Sequence, residues 1–74
     1  MAVSKEQRIG VLKAGIARTE RGMEELAFAL ECANKAGDKG WVVELRTAIQ
    51  SNETAKKSYE EQIAAVESET ETKE

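Results

Sequence analysis

The stretch ANKAGDKGWVVEL, Ala33 to Leu45, decides the fold. Gly37 suits the left-handed position that closes a helix, and Asp38 suits the N-cap of the next one. The reading is therefore a first helix ending near Ala36, a turn at 37–39 and a second helix starting near Lys39. So short a join favours antiparallel neighbours. Gly37-Asp38-Lys39-Gly40 has neither the length nor the Lys-Ser/Thr ending of a phosphate-binding loop, and reads as a turn.

Upstream, Ser4-Lys5-Glu6-Gln7 is a capping-box pattern. Apolar residues then fall at alternating steps of three and four: Ile9, Leu12, Ile16, Met23, Leu26, Leu30 and Ala33, with Thr19 in the one polar slot. This is a heptad seam, and it predicts helix 1 over about 4–36. Downstream, Trp41, Val42, Leu45, Ala48, Ile49, Ala55, Tyr59, Ile63 and Val66 form the stripe of helix 2, over about 39–67. Gln50 to Thr54 are poor helix formers, and Asn52 lies on the seam itself. Either the helix breaks there or Asn52 is a polar layer that fixes register. With no Gly or Pro in the run, continuity is favoured. After Val66 the sequence ESETETKE has no apolar residue, so 68–74 is expected to be a disordered acidic tail.

Composition supports an all-α chain. Seventy-four residues make one domain, proline is absent, and the only aromatic residues are Phe28, Trp41 and Tyr59. Charged residues are 34% of the chain, yet the net charge is only −3. The signs are interspersed, which excludes a nucleic-acid binder working through bulk positive charge and equally a highly acidic DNA mimic. Cys32 is the single cysteine and histidine is absent, so neither an intramolecular disulfide nor a Cys/His zinc site can form. MAVSKEQRIG lacks a signal-peptide core, and no apolar run has the length of a membrane span. The expectation is a reduced, cytoplasmic protein with no membrane contact. In that setting the Asn52-Glu53-Thr54 sequon is chance.

Chemistry-bearing constellations are sparse. The commonest general base is missing, and Cys32, among Leu30, Glu31 and Ala33 with no cation to lower its pKa, is expected to be a small buried hydrophobe. Glu24-Glu25 and Glu60-Glu61 are adjacent pairs, which diverge by about 100° on a helix and share no face. No catalytic residue, metal or cofactor is expected, and the chain is not read as an enzyme.

Three glycines, Gly10, Gly15 and Gly22, stand inside helix 1, each costing roughly 0.8–1 kcal/mol relative to alanine. Helix 1 is small or apolar around most of its circumference, with Val11, Gly15, Gly22 and Ala29 along the flank of its seam. A lone hairpin of this length has little surface to bury. These four residues are therefore expected to form an oligomer interface, pairing two hairpins into a dimeric four-helix bundle. Arg18 and Arg21 interrupt the small-residue face and, with Phe28 and Val43, are the candidate partner- or ligand-binding residues. In a dimer two copies of Arg18 and Arg21 could converge on phosphates, a nucleotide or an acidic partner; on the competing reading they are interface rim. Lys56-Lys57 reads as a solvated face balanced by Glu60 and Glu61.

The function expected is that of a non-enzymatic helical module that binds and regulates another protein as adaptor, inhibitor or accessory factor, a class that includes phage-encoded proteins. Two helices, a tight turn and an acidic tail resemble, in architecture, the Rop family of plasmid RNA-binding proteins. That resemblance implies an RNA- or nucleotide-binding bundle as the alternative, and no residue motif accompanies it.

Overall fold

The computed structural model describes residues 3–69. Two helices, α1 (Lys5–Ala36) and α2 (Lys39–Glu67), pack against each other as a hairpin, and the described residues contain no strand. Residues 70–74 of the expected tail lie outside the described residues. Its first two residues are placed: Ser68 caps α2, and Glu69 reaches back to α1.

Local chemistry accounts for each boundary. The Gln7 backbone N–H donates to Ser4 Oγ at 3.1 Å, and the Ser4 N–H donates to Gln7 Oε1 at 3.0 Å, which satisfies two otherwise orphaned donors. At the other end of α1, Gly37 takes φ 73°, a conformation open to glycine without a Cβ penalty. The Gly37 N–H donates to the Asn34 carbonyl at 3.1 Å and the Asp38 N–H to the Ala33 carbonyl at 3.0 Å, the Schellman closure. Asp38 then accepts from the Trp41 N–H at 3.1 Å and starts α2. α2 runs unbroken through Gln50–Thr54, so Asn52 is a half-buried polar residue in a continuous helix.

The register explains two of the three glycines. A Cβ built on Gly15 would lie 2.8 Å from Tyr59 Cζ and 3.0 Å from both flanking ring carbons, so the tyrosine ring fills the space a side chain would need. One heptad on, a Cβ at Gly22 would meet Asn52 Nδ2 at 3.1 Å. Seven residues forward in α1 match seven back in α2, and the same step sets Ala29 level with Leu45. Of the four residues expected at an oligomer interface, Val11, Gly15, Gly22 and Ala29, the two glycines make their contacts within the chain. Their partner is α2 of the same chain, because a residue without a Cβ admits the large side chain opposite. Gly10 meets nothing within 4 Å.

Thr19, the polar residue on the seam, donates its hydroxyl to the Gly15 carbonyl at 2.7 Å and leaves no unsatisfied group there. Burial is shallow elsewhere. Among the described residues, only Ala33, Leu45 and Val66 of the apolar side chains are buried, at 0%, 6% and 9% exposure. Ile9, Ile16, Met23 and Leu30 of α1, and Val42, Ile49 and Ile63 of α2, are half-buried.

These contacts set opposite signs for two glycine substitutions. Gly10→Ala should raise the melting temperature, since it gains helix propensity in open space. Gly15→Ala should lower it, because displacing the Tyr59 ring costs about 1–3 kcal/mol, more than the propensity returned. Thermal unfolding followed by circular dichroism checks both, and a stabilised Gly15→Ala would remove the ring from the seam. Asn52→Leu should also raise the melting temperature, since an apolar side chain replaces the half-buried amide.

Candidate functional site

Around a helix followed in heptads, the residues of α1 fall into lines about 50° apart. The line Leu12, Thr19, Leu26 and Ala33 faces α2. The line Arg8, Gly15, Gly22 and Ala29 borders it on one side, and Ile9, Ile16, Met23 and Leu30 on the other. Two inter-helix ion pairs fix which flank of α2 belongs to which side. Arg8 pairs with Glu69 on the glycine side, and Lys56 pairs with Glu20 at 2.9 Å on the isoleucine side.

On the glycine side, the next lines outward carry Val11, Arg18, Glu25 and Cys32, and then Ala14, Arg21, Phe28 and Lys35. Arg18, Arg21 and Phe28 therefore share one continuous outer surface of α1. Phe28 is 67% exposed and Val11 69%. Cys32 is a free, exposed thiol on the same strip, where a small buried hydrophobe was expected from its neighbours. Among the described residues neither Arg18 nor Arg21 forms an ion pair. Val43, although 64% exposed, projects from the far side of α2, so the structure does not bring it together with Phe28.

The open end of the hairpin holds a feature the sequence did not indicate. Arg8 donates from its two terminal nitrogens to both carboxylate oxygens of Glu69, at 2.6 and 3.1 Å. Lys5 Nζ donates to the carbonyls of Glu67 and Glu69 at 3.3 and 3.4 Å. The hydrogen bond from Arg8 holds the Glu69 carboxyl below its ordinary pKa, and the Arg8 and Lys5 charges act in the same direction. Arg8 is correspondingly raised, chiefly by that same hydrogen bond. Next to this clamp, Val3, Arg8, Val11, Leu12, Gln62 and Val66 line a shallow depression of about 450 Å³. No sequence-local signal links Arg8 to Glu69, since the pairing depends on register at the end of two long helices.

Lys56 also differs from its expected role. It is not merely solvated, for it bridges to Glu20, whose hydrogen bond raises its pKa. Lys57 remains exposed. Among the described residues no cluster of His, Cys, Asp or Glu could hold a metal ion, and no helix is long and apolar enough to cross a membrane.

The clamp has a defined pH dependence. A depressed carboxyl contributes its stabilisation above the unfolded pKa and loses it as pH falls through the lowered folded value. Acidification through the carboxylate range should therefore lower amide protection in the first turns of α1 and the last turn of α2. Glu69→Gln should show the lowered protection already at neutral pH. Equal protection in both proteins at neutral pH would show that the pair does not hold this end closed.

Comparison with known protein families, with characterised proteins and with solved structures finds no match to this chain.

Proposed function

We propose that the chain is a non-enzymatic helical interaction module that binds and regulates another protein, and that it acts as a homodimer. The observation that carries this reading is the outer surface of α1, where Phe28 stands two-thirds exposed on the same line as Arg21 and beside Arg18. Aromatic residues and arginines are the side chains most enriched at protein–protein contacts, and a large apolar ring left in water gains from being covered. The surface is electrostatically mixed, because Glu24 and Glu25 follow the arginines within one turn. That mixture suits a protein partner with charges of both signs better than a phosphate backbone, which rewards net positive charge. Homodimerisation draws support from the shallow burial, with most large apolar side chains of the seam still open to water.

The test is affinity capture from the native host with the wild-type chain and with Phe28→Ser, whose exposed site leaves the fold undisturbed. One protein should be retained by the wild type and depleted at least tenfold with the variant, at equal helicity. Recovery of RNA in place of protein, weakening steeply with salt, would favour the Rop-like alternative. Identical recoveries with both chains would remove Phe28 from the contact.

A further inference from the structure

We infer that a second copy of this chain docks face to face on the isoleucine side of the hairpin, antiparallel, with the two turns at opposite ends and α2 lying along the partner subunit's α2. This rests on the homodimer proposed above, and it moves the interface to the side opposite the glycines.

The two sides of the seam are filled differently. On the glycine side, Tyr59 and Asn52 fill the space at Gly15 and Gly22, and the depression beside Val3, Val11 and Val66 is confined to the open end of the hairpin. On the other side, at the register set by Gly15 and Tyr59, large residues fall within two positions of each other: Ile9 and Ile63, Met23 and Ile49, Leu30 and Val42. All six are half-buried, because neither helix can roof the other's outward half. Lys56, level with Ile16, is the one charged residue in these layers, and Glu20 draws its ammonium to the edge. From Ile9 to Leu30 the face runs about 32 Å, and two helices side by side span about 20 Å. The projected area is roughly 600 Å², and a ridged surface has more accessible area than its projection. That brings it into the range of a standard interface, about 800 Å² per partner.

Charge selects the occupant and its direction. The outer rim of this face on α2 reads Lys39, Arg46, Glu53, Glu60, Glu67, one residue per heptad, positive in its first half and negative in its second. Antiparallel pairing of α2 with itself sets Arg46 against the partner subunit's Glu60 and Lys39 against the partner subunit's Glu67, each twice by symmetry. The axis passes near Glu53, with Lys56 one turn away to offset the like charge. Laying α1 on the partner subunit's α2 instead would set Glu6 against its Glu67 and Glu20 against its Glu53, with Lys13 against its Glu60 the one favourable pair. A rim that changes sign about its own midpoint is self-complementary only when reversed.

Four variants test this with exposed side chains, so none depends on tolerating a core change. Light scattering and sedimentation should first show a wild-type dimer; a monomer at all accessible concentrations overturns both the homodimer and this face. Arg46→Glu should weaken the dimer about tenfold or more at low salt, by setting like charges together twice, and adding Glu60→Arg should restore it. Glu53→Cys in a Cys32→Ser background should give a disulfide-linked dimer on oxidation in most of the protein, because the two positions meet at the axis. The wild-type thiol at Cys32, on the opposite side of the hairpin, should not. A wild-type dimer in which Arg46→Glu has no effect and the position-53 thiol stays monomeric, while Val11→Glu dissociates it, would keep the homodimer and overturn this face.

Discussion

The tyrosine ring of Tyr59 occupies the volume beside Gly15 that any other residue would fill with its own Cβ. Much of the molecule's organisation follows from that contact. It fixes the register of α2 along α1, since a slip of one residue would put a side chain of α1 into the ring. It also fixes how each helix is rolled about its axis, because the ring must leave α2 toward the glycine line. The neighbouring contact of Asn52 with Gly22 repeats the arrangement one heptad on. The propensity cost of the two glycines is offset by contact area that an alanine would exclude.

An asymmetric roll has consequences for what remains uncovered. Where small residues meet large ones, a pair of helices can complete its own layers. Where isoleucine stands level with isoleucine and methionine with isoleucine, two helices leave a groove open on the side away from the glycines. The same chain therefore carries a finished flank and an unfinished one, and the charges arrange themselves accordingly. The finished flank closes at its open end with Arg8 and Glu69, while the unfinished one carries a rim of heptad-spaced charges, positive then negative along α2, and the Lys56–Glu20 bridge. Phe28 stands outside both, on the far surface of α1. Contact with another protein there and contact with a second copy on the open groove would not compete for the same residues.

The ends of the hairpin show how unequal the interactions are. The turn and the caps are made by hydrogen bonds between residues at most five apart, and they satisfy backbone groups that would otherwise be orphaned. The clamp at the termini joins residues more than sixty apart through exposed charges. Such pairs are screened by water and contribute little individually. Its role is to hold together the end of the hairpin where no turn does so.

The sequence by itself determined both helices, their boundaries and the turn, because these depend on local chemistry. The capping box at Ser4, the left-handed Gly37 and the Asp38 cap act within a few residues, and the heptad spacing of the apolar side chains fixes which stripe of each helix is buried. Only the tertiary structure decided on which side of that stripe the second helix settles. The glycine line and the isoleucine line flank it on either side, and hydropathy favours the isoleucine line, yet it is the glycine line that receives Tyr59 and Asn52. Reading small residues as places for another molecule therefore sent Gly15 and Gly22 to an oligomer interface, when the side chains against them are Tyr59 and Asn52 of the same chain. The separation of Phe28 from Val43 and the pairings of Arg8 with Glu69 and Lys56 with Glu20 follow from the same roll and register. These are properties of two helices together, and neither helix encodes them alone.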